Sequence, residues 1–377
     1  MDKENNPREQ RGIEIAKKQD QIKRLDESTY KVKSQNYVRT YNVISTEQGW
    51  ICDCPDHTYR HLCCKHIHAV EFSIKMRERV RKENSVTIDQ IELSTCPNCE
   101  SVNFIKKGIR HNKHGDIQRY ACKDCKKWFN FNLGFERMRA TPQIITSAMQ
   151  LYFTGESLRG IQKFLRLQGI EVSHQTIHNW IKKYTKLMKS YLDKIVPQVG
   201  DKWRADEVYV KIKGDLKYLF ALCDDETKFW ISKEVADRKQ GHDARGLLQQ
   251  AKQVTQTKPR VFITDGLQSY QIASQKEFWA QDKGQRTTHI RHIHLTGDMN
   301  NNAQERFNGE FRDREKVMRG IKKMDSVMFD GYQIYHNYIR QHMSLNNQTP
   351  ADKAGIKIKG NNKWITLIQN ASKNEIK

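Results

Sequence analysis

Eight of the nine cysteines fall within the first 125 residues, grouped as metal-ligand sets rather than scattered as core thiols. Cys96-x-x-Cys99 and Cys122-x-x-Cys125 are separated by 22 residues, close to the spacing of a zinc ribbon. Each C-x-x-C turn presents two thiolates to one ion, and two such turns complete a tetrahedron. Four protein ligands leave no open position, so a zinc ion here is expected to be structural. A second set is Cys52-Asp53-Cys54, followed after nine residues by Cys64-Lys65-His66. Alternate residues of a strand share a face, so Cys52 and Cys54 can both point at one metal, with Cys64 and His66 closing the site from the start of a helix. Cys63 stands beside this pattern as a competitor of Cys64. His57, His61 and His68 read as surface or packing residues, and Cys223 as core.

The cysteines bind metal rather than pair as disulfides only in a reducing compartment. The N-terminal residues Met1 to Arg8 lack the apolar core of a signal peptide, and no stretch approaches the ~18 apolar residues of a membrane span. The expected location is therefore the cell interior, with no membrane partner. Lys and Arg total 66 against 44 Asp and Glu, a formal charge of +22. This excess extends over successive segments, which suits a long polyanion such as double-stranded DNA.

Residues 141–192 carry three helical patterns. Thr141-Pro142, Ser157 and Ser173 are helix starts, and Gly155 and Gly169 are stops. Ile177, Trp180, Ile181, Tyr184 and Met188 share one face of the third helix. Its other face carries His174, Gln175, His178, Asn179, Lys182 and Lys183, the polar and basic surface of a helix that enters a major groove. A helix-turn-helix is the expected arrangement.

From Trp203 the residues alternate. Asp206, Val208, Val210 and Ile212 are expected on one strand face, with Glu207, Tyr209 and Lys211 on the other, so that Asp206 and Glu207 cannot both serve one site. Lys213-Gly214-Asp215 turns the chain into a second strand over Leu216–Leu222, and a third follows over Lys228–Val235. After a helix, Arg260 to Thr264 reads as a buried strand delivering Asp265 at its C-terminal end, where open α/β sheets place their sites. In the helix that contains Glu305-Arg306-Phe307-Asn308-Gly309, Glu305, Asn308 and Arg312 share one face, while Phe307, Phe311 and Met318 share the other.

The order Asp206-Glu207, Asp265-Gly266 and Glu305-Arg306-Phe307-Asn308-Gly309 resembles insertion-sequence transposases with a DDE core. The stretch from Tyr335 to Leu345, followed by Thr349-Pro350-Ala351, is similar to the C-terminal part of that family. The likeness covers roughly residues 95–356, and the C-x-C…C-x-H set resembles a SWIM zinc finger. The resemblance implies a multidomain α/β chain with a ribonuclease-H-like mixed sheet. Its expected divisions are a polar tail (1–30), a SWIM-like finger (31–85), a zinc ribbon (90–135), a helix-turn-helix (140–195), a catalytic domain (200–356) and a C-terminal tail (357–377).

The family likeness further implies that Asp206, Asp265 and Glu305 hold two Mg2+ ions, or Mn2+ in their place, for cleavage and joining of DNA strands. It implies transposon ends and target DNA as partners, a homodimer or higher oligomer on DNA, and a place in the cytoplasm, on the nucleoid of a prokaryote. Arg312 and Arg340 are candidates for contacting phosphates. The 39 residues between Asp265 and Glu305 exceed the usual spacing of the family. Asp298 and Glu310 are the competitors for the third acid, Glu310 lying about 140° round the helix from Glu305. His292 and His294, with His289 before them, are expected on a strand, either as a polar face or in contact with substrate. The rival readings are a DNA-binding regulator with a spent catalytic core and a ribonuclease-H-like nuclease of another pathway.

Overall fold

A computed structural model describes residues 6–18, 21–25, 28–35, 39–91, 94–112, 115–130, 132–282, 286–291, 302–317, 321 and 323–376. The chain divides into two compact units, one formed mainly by residues 1–85 and the other by the bulk of residues 86–377.

The first unit begins with α1 (Pro7–Lys17), whose N-cap Asn6 accepts a hydrogen bond from the Arg8 backbone. Strands β1 (Ile22–Arg24), β2 (Thr29–Lys33), β3 (Thr40–Thr46) and β4 (Gly49–Cys52) form an antiparallel meander in sequence order. A short helix α2 (Pro55–Arg60) leads to α3 (Lys65–Glu83). Ile15 and Ile22 are buried with Val32, Val43, Ile67 and Val70, so the segment expected as a polar tail belongs to this core. Its sparse apolar residues hide an amphipathic helix whose few buried contacts suffice because α1 lies on α3. The charged run Arg77–Glu83 belongs to α3.

The second unit opens with β5 (Val86–Ile88), then a three-stranded sheet of β6 (Phe104–Asn112), β7 (Gly115–Cys122) and β8 (Trp128–Phe129). Three helices follow: α4 (Pro142–Thr154), α5 (Leu158–Leu167) and α6 (His174–Leu192). Thr141, Ser157 and Ser173 cap them through their side chains, as their positions predict. The buried stripe of α6 contains Ile177, Trp180, Ile181, Tyr184 and Met188.

A five-stranded sheet supplies the central layer. Its strands are β9 (Lys202–Ile212), β10 (Asp215–Asp224), β11 (Trp230–Ala236), β12 (Val261–Thr264) and β13 (Thr288–Arg291), in the order β11-β10-β9-β12-β13. The first three pair antiparallel, whereas β12 runs parallel to both β9 and β13. The sheet is mixed and lies among helices, as the expected α/β class requires. Helices α7 (Gly241–Thr255) and α8 (Gln268–Glu277) link its later strands. Helices α9 (Asn302–Glu315) and α10 (Val327–Ile334) follow, and α10 continues as a π-helical turn over Tyr335–Ile339.

Trp230 of β11 organises the packing around α9 and α10. Its ring meets those of Phe307, Phe311, Tyr332 and His336 at 4.9–6.4 Å. Its backbone N–H donates to Asn337 Oδ1 at 2.8 Å, while Asn337 Nδ2 donates to the Trp230 carbonyl at 3.0 Å. The amide of Asn337 thus does for this edge strand what a neighbouring strand would do, satisfying buried backbone groups.

Past α11 (Pro350–Lys353) the chain forms β14 (Ile356–Ile358), which pairs parallel with β5, and then α12 (Lys363–Ile376). Residues 357–377 are therefore no simple tail. Trp364, Leu367, Ile368 and Ala371 are buried, and Trp364 stacks on Phe153 of α4. The helices α4 to α6 consequently share one continuous core with the five-stranded sheet rather than standing apart from it. Among the described residues, no helix is long and apolar enough to cross a membrane.

Candidate active site

The register of the sheet brings Asp206 and Asp265 together. In the parallel pair, Ile263 lies opposite Arg204, and continuing that register places Asp265 beside Asp206. Asp265 follows the last residue of β12 and is exposed, and its Oδ1 accepts from the Leu267 N–H at 3.1 Å. Gly266 adopts φ 102°, a conformation that only glycine takes without strain, so the chain can turn sharply behind the acid.

Asp206 is held from the α9 side. Asn308 Nδ2 donates to its Oδ2 at 2.7 Å, and the Glu207 N–H donates to its Oδ1 at 2.9 Å. Glu207 leaves the strand on the other side, where it lies opposite Phe220 and accepts from Tyr270 Oη at 3.3 Å. Lys239 Nζ also donates to Glu207 and sits over the rings of Tyr209 and Tyr218 at 5.4 and 5.1 Å.

The partners of the two acids therefore alternate as the strand pattern requires. Yet ligand oxygens of Asp206, Glu207 and Asp265 all lie within 4.8 Å of one another. The expectation that Asp206 and Glu207 cannot serve one site is corrected. Strand alternation governs the direction of Cβ, not the position of a carboxylate at the end of a flexible side chain. Burial first, then the charges of Glu207 and Asp265, push the Asp206 carboxyl up to about 7. Burial likewise raises Glu207, with Lys239 opposing it. Such a group of acids is costly without a cation, and oxygen-only donors of this kind suit Mg2+.

Glu305 lies on α9, three residues and less than one turn before Asn308. Its competitor Glu310 forms a two-pronged ion pair with Arg340, including an Nη2–Oε1 hydrogen bond of 2.7 Å. That pairing also engages Arg340, one of the two arginines expected to contact phosphate, while Arg312 is exposed. Phe307 and Phe311 are buried, as their face predicts; Met318, Asp298, His292 and His294 lie outside the described residues. His289 is in β13, stacked on Phe262 at 5.1 Å and bonded to Thr264 Oγ1 at 3.0 Å. Burial, then Arg291, lowers it to about 4, so its ring is a neutral packing element at pH 7.

Both four-ligand cysteine sets converge. The ligand atoms of Cys96, Cys99, Cys122 and Cys125 lie within 4.8 Å of one another, as do those of Cys52, Cys54, Cys64 and His66. In the first unit, His66 Nδ1 is 3.9 Å from the sulfurs of both Cys52 and Cys64. Cys64, not Cys63, joins this set. Three thiols and an imidazole, or four thiols, gathered at tetrahedral separations fit Zn2+. Cys223 is buried in β10.

On α6, His174, Gln175, Asn179, Lys182 and Lys183 are exposed, and His178 is half-buried. Gln175 Nε2 donates to Asn179 Oδ1 at 3.1 Å, and Lys183 Nζ lies 5.1 Å from the centre of the Tyr184 ring. Asn308, Glu207, Lys239 and Tyr270 were not singled out as site residues by sequence reasoning. Glu207 and Asn308 had a signal, as members of the Asp206-Glu207 and Glu305-Arg306-Phe307-Asn308-Gly309 motifs.

A family profile described as a DDE domain matches residues 200–342, the segment that carries β9 to β13, α9 and α10. This segment is therefore similar to a DDE domain. Among the relatives is the transposase for the insertion sequence-like element IS431mec of Staphylococcus aureus, 31% identical over 147 residues. The match covers 38% of this chain and 63% of that protein. The transposase for insertion sequence element IS257 in transposon Tn4003, also from Staphylococcus aureus, matches to the same extent. An uncharacterized 48.3 kDa protein of insertion element ISM1 from Methanobrevibacter smithii is 28% identical over 186 residues, 46% of this chain and 45% of that one. The chain thus spans less than two thirds of the length of the curated relatives it matches. Among solved structures, the HTLV-2 integrase catalytic core domain in complex with magnesium aligns with 14% identity and a TM-score of 0.32. That alignment covers 42% of this chain and 98% of that one.

Proposed function

We propose that this protein is a DNA transposase that binds the ends of its own mobile element and cuts and joins strands at a carboxylate site. The observation that carries the reading is the meeting of Asp206, within β9, and Asp265, just past the end of β12, beside the helix that bears Glu305 and Asn308. The DDE domain over residues 200–342 supports it.

Asp206, Asp265 and Glu305 would hold two Mg2+ ions, with Mn2+ as a substitute. When bound, such ions activate a water or a DNA 3′-hydroxyl and stabilise the leaving oxygen of an in-line displacement at phosphorus. Asn308 holds the Asp206 carboxylate in one orientation, which spares the site reorganisation when charge develops. Glu207 adds a further negative oxygen, with Lys239 and Tyr270 bonded to it. Arg312 and Arg340 stand near enough along the chain to be phosphate contacts, Arg340 exchanging Glu310 for the backbone.

For DNA recognition, α4 to α6 serve as a helix-turn-helix and α6 as its reading helix. Gln175 and Asn179 would read base edges, with His178 at the margin and Lys182 and Lys183 on phosphates. The ribbon at Cys96, Cys99, Cys122 and Cys125 and the SWIM-like finger at Cys52, Cys54, Cys64 and His66 would each carry one structural zinc. The working assembly is a dimer or higher oligomer, because two ends must be joined.

The test is cleavage and joining of a labelled end duplex, after the bound sequence has been selected from a random pool. Wild type should cut with Mg2+ and not with Ca2+, and Asp206→Ala, Asp265→Ala and Glu305→Ala should bind ends without cutting. Tight binding with no cutting by wild type would replace this reading with that of a regulator.

A further inference from the structure

At the junction that supplies Cys64 and His66 to the first metal set, a third group of ligand-type side chains gathers. Cys63, His68 and Glu71 each offer one ligand atom, and these atoms lie within 4.8 Å of one another. The geometry of the helix start explains why two groups form there. Cys63 and Cys64 are adjacent, and only Cys64 joins Cys52 and Cys54. His66 and His68 are two positions apart on α3, about 200° round the helix, so they leave it on opposite sides. His66 turns to the sulfurs of Cys52 and Cys64, whereas His68 turns to Glu71, one turn further on, with Nδ1 to Oε2 at 3.8 Å.

Two further observations point to a ligand. Among the described residues, His68 Nε2 is buried with no hydrogen-bond partner, an expensive state for an imidazole nitrogen. Helix α1 is brought close to this imidazole: a Cβ on Gly12 would come within 2.7 Å of His68 Cβ. The approach sets Glu9 within electrostatic reach of the Cys63 thiol. In a chain of net charge +22, a thiol, an imidazole and carboxylates are thus collected at one spot.

We infer that Cys63, His68 and Glu71 form a second metal site in this unit, back to back with the Cys52 site. One sulfur, one nitrogen and one oxygen suit a divalent ion of borderline softness, Zn2+ above all, with Co2+ as a spectroscopic substitute. Three protein ligands leave a fourth position for water. Cys63 is exposed, so this ion exchanges with solvent more readily than the buried one. The ion would tie the turn before α3 to the first turns of that helix from the side the Cys52 set does not reach.

The experiment is the zinc-to-protein ratio of the full-length chain, loaded with Zn2+ and desalted, for wild type, Cys63→Ser and Glu71→Gln. Each variant should hold one equivalent less than wild type and keep its far-ultraviolet circular dichroism. The readout is the difference between proteins, so it stands whatever the zinc content of the other two sets. Equal zinc in all three proteins would overturn the site. Loss of one equivalent in Cys63→Ser with none lost in Glu71→Gln would also overturn it, by making Cys63 a ligand of the Cys52 set.

Discussion

Asn308 on α9 donates its side-chain amide to Asp206 Oδ2 at 2.7 Å, joining residues 102 positions apart. Its Oδ1 is buried with no hydrogen-bond partner among the described residues, so this one bond specifies which way the amide points. It also ties the helix that carries Glu305 to the strand that carries Asp206. Asn308→Ala should therefore lower Mg2+-dependent strand cleavage by about 10- to 100-fold, a loss of ~1.4–2.7 kcal/mol of transition-state stabilisation, while end binding is unchanged. Asp206→Ala should cost at least ~1000-fold. Single-turnover cleavage beside a binding isotherm measures both, and an Asn308→Ala protein of wild-type rate refutes the positioning role.

The closeness of Glu207 to Asp206 and Asp265 makes it more than a packing residue. Glu207→Gln should reduce cleavage at least ~10-fold, and Lys239→Met should shift the Mg2+ concentration needed for half-maximal rate, because it removes the cation bonded to Glu207. Magnesium titrations of the cleavage rate read both. If Glu207→Gln cuts like wild type at every Mg2+ concentration, the carboxylate takes no part.

The four-cysteine set should be needed for its own module and for no other. Cys96→Ser should lose one zinc equivalent and destabilise the β6–β8 sheet, since structural zinc supplies ~10–16 kcal/mol to a small domain. Cys223→Ser, in the core of β10, should keep all bound zinc. Metal analysis of the two variants decides; zinc loss in Cys223→Ser would contradict the ligand assignment.

If α6 reads DNA, its exposed residues should separate into two classes. Gln175→Ala and Asn179→Ala should relax preference at particular base pairs by ~1–3 kcal/mol. Lys182→Ala and Lys183→Ala should weaken binding to all sequences and reduce the salt slope by ~0.9 for each phosphate that is no longer neutralised. Binding to the selected site and to point-substituted sites, at several salt concentrations, distinguishes the classes. Four variants with wild-type preference and slope would remove α6 from the interface.

A buried ion-pair group at the start of β9 should set part of the acid stability. Asp225 is 7% exposed and pairs with Lys202 at 2.9 Å and with Arg204. Burial raises its carboxyl, but the charges of Arg204 and Lys202 outweigh this and hold it at about 2. A depressed folded-state pKa contributes stability that is present above the unfolded value near ~3.9 and is lost as pH falls through about 2. The contribution is on the order of 2 kcal/mol. In urea melts, wild type should lose stability between about pH 4 and 2 more steeply than Asp225→Asn. Parallel acid limbs would show that the pair does not report on folding.

The amino-acid sequence by itself determined the local elements and the residue types of the site. Thr141, Ser157 and Ser173 cap their helices, and the apolar spacing of α6 becomes its buried stripe, because caps and periodicity act within a few residues. The C-x-x-C and C-x-C spacings likewise bring their sulfurs together over a few residues, although Cys52 ends β4 and Cys54 caps α2, so that the second pair does not share one strand. The tertiary structure alone decided what depends on contacts between distant segments. Within the expected tail, Lys363–Ile376 became a packed helix because Trp364 and Ile368 found a core contributed partly by α4, some two hundred residues earlier. Asp265 joined Asp206 because parallel pairing of β12 with β9 set the two side by side, which no alternation rule within β9 can foresee. Asn308 became the partner of Asp206 for the same reason: the direction a side chain takes is local, but the group it meets is chosen by the packing of the whole domain.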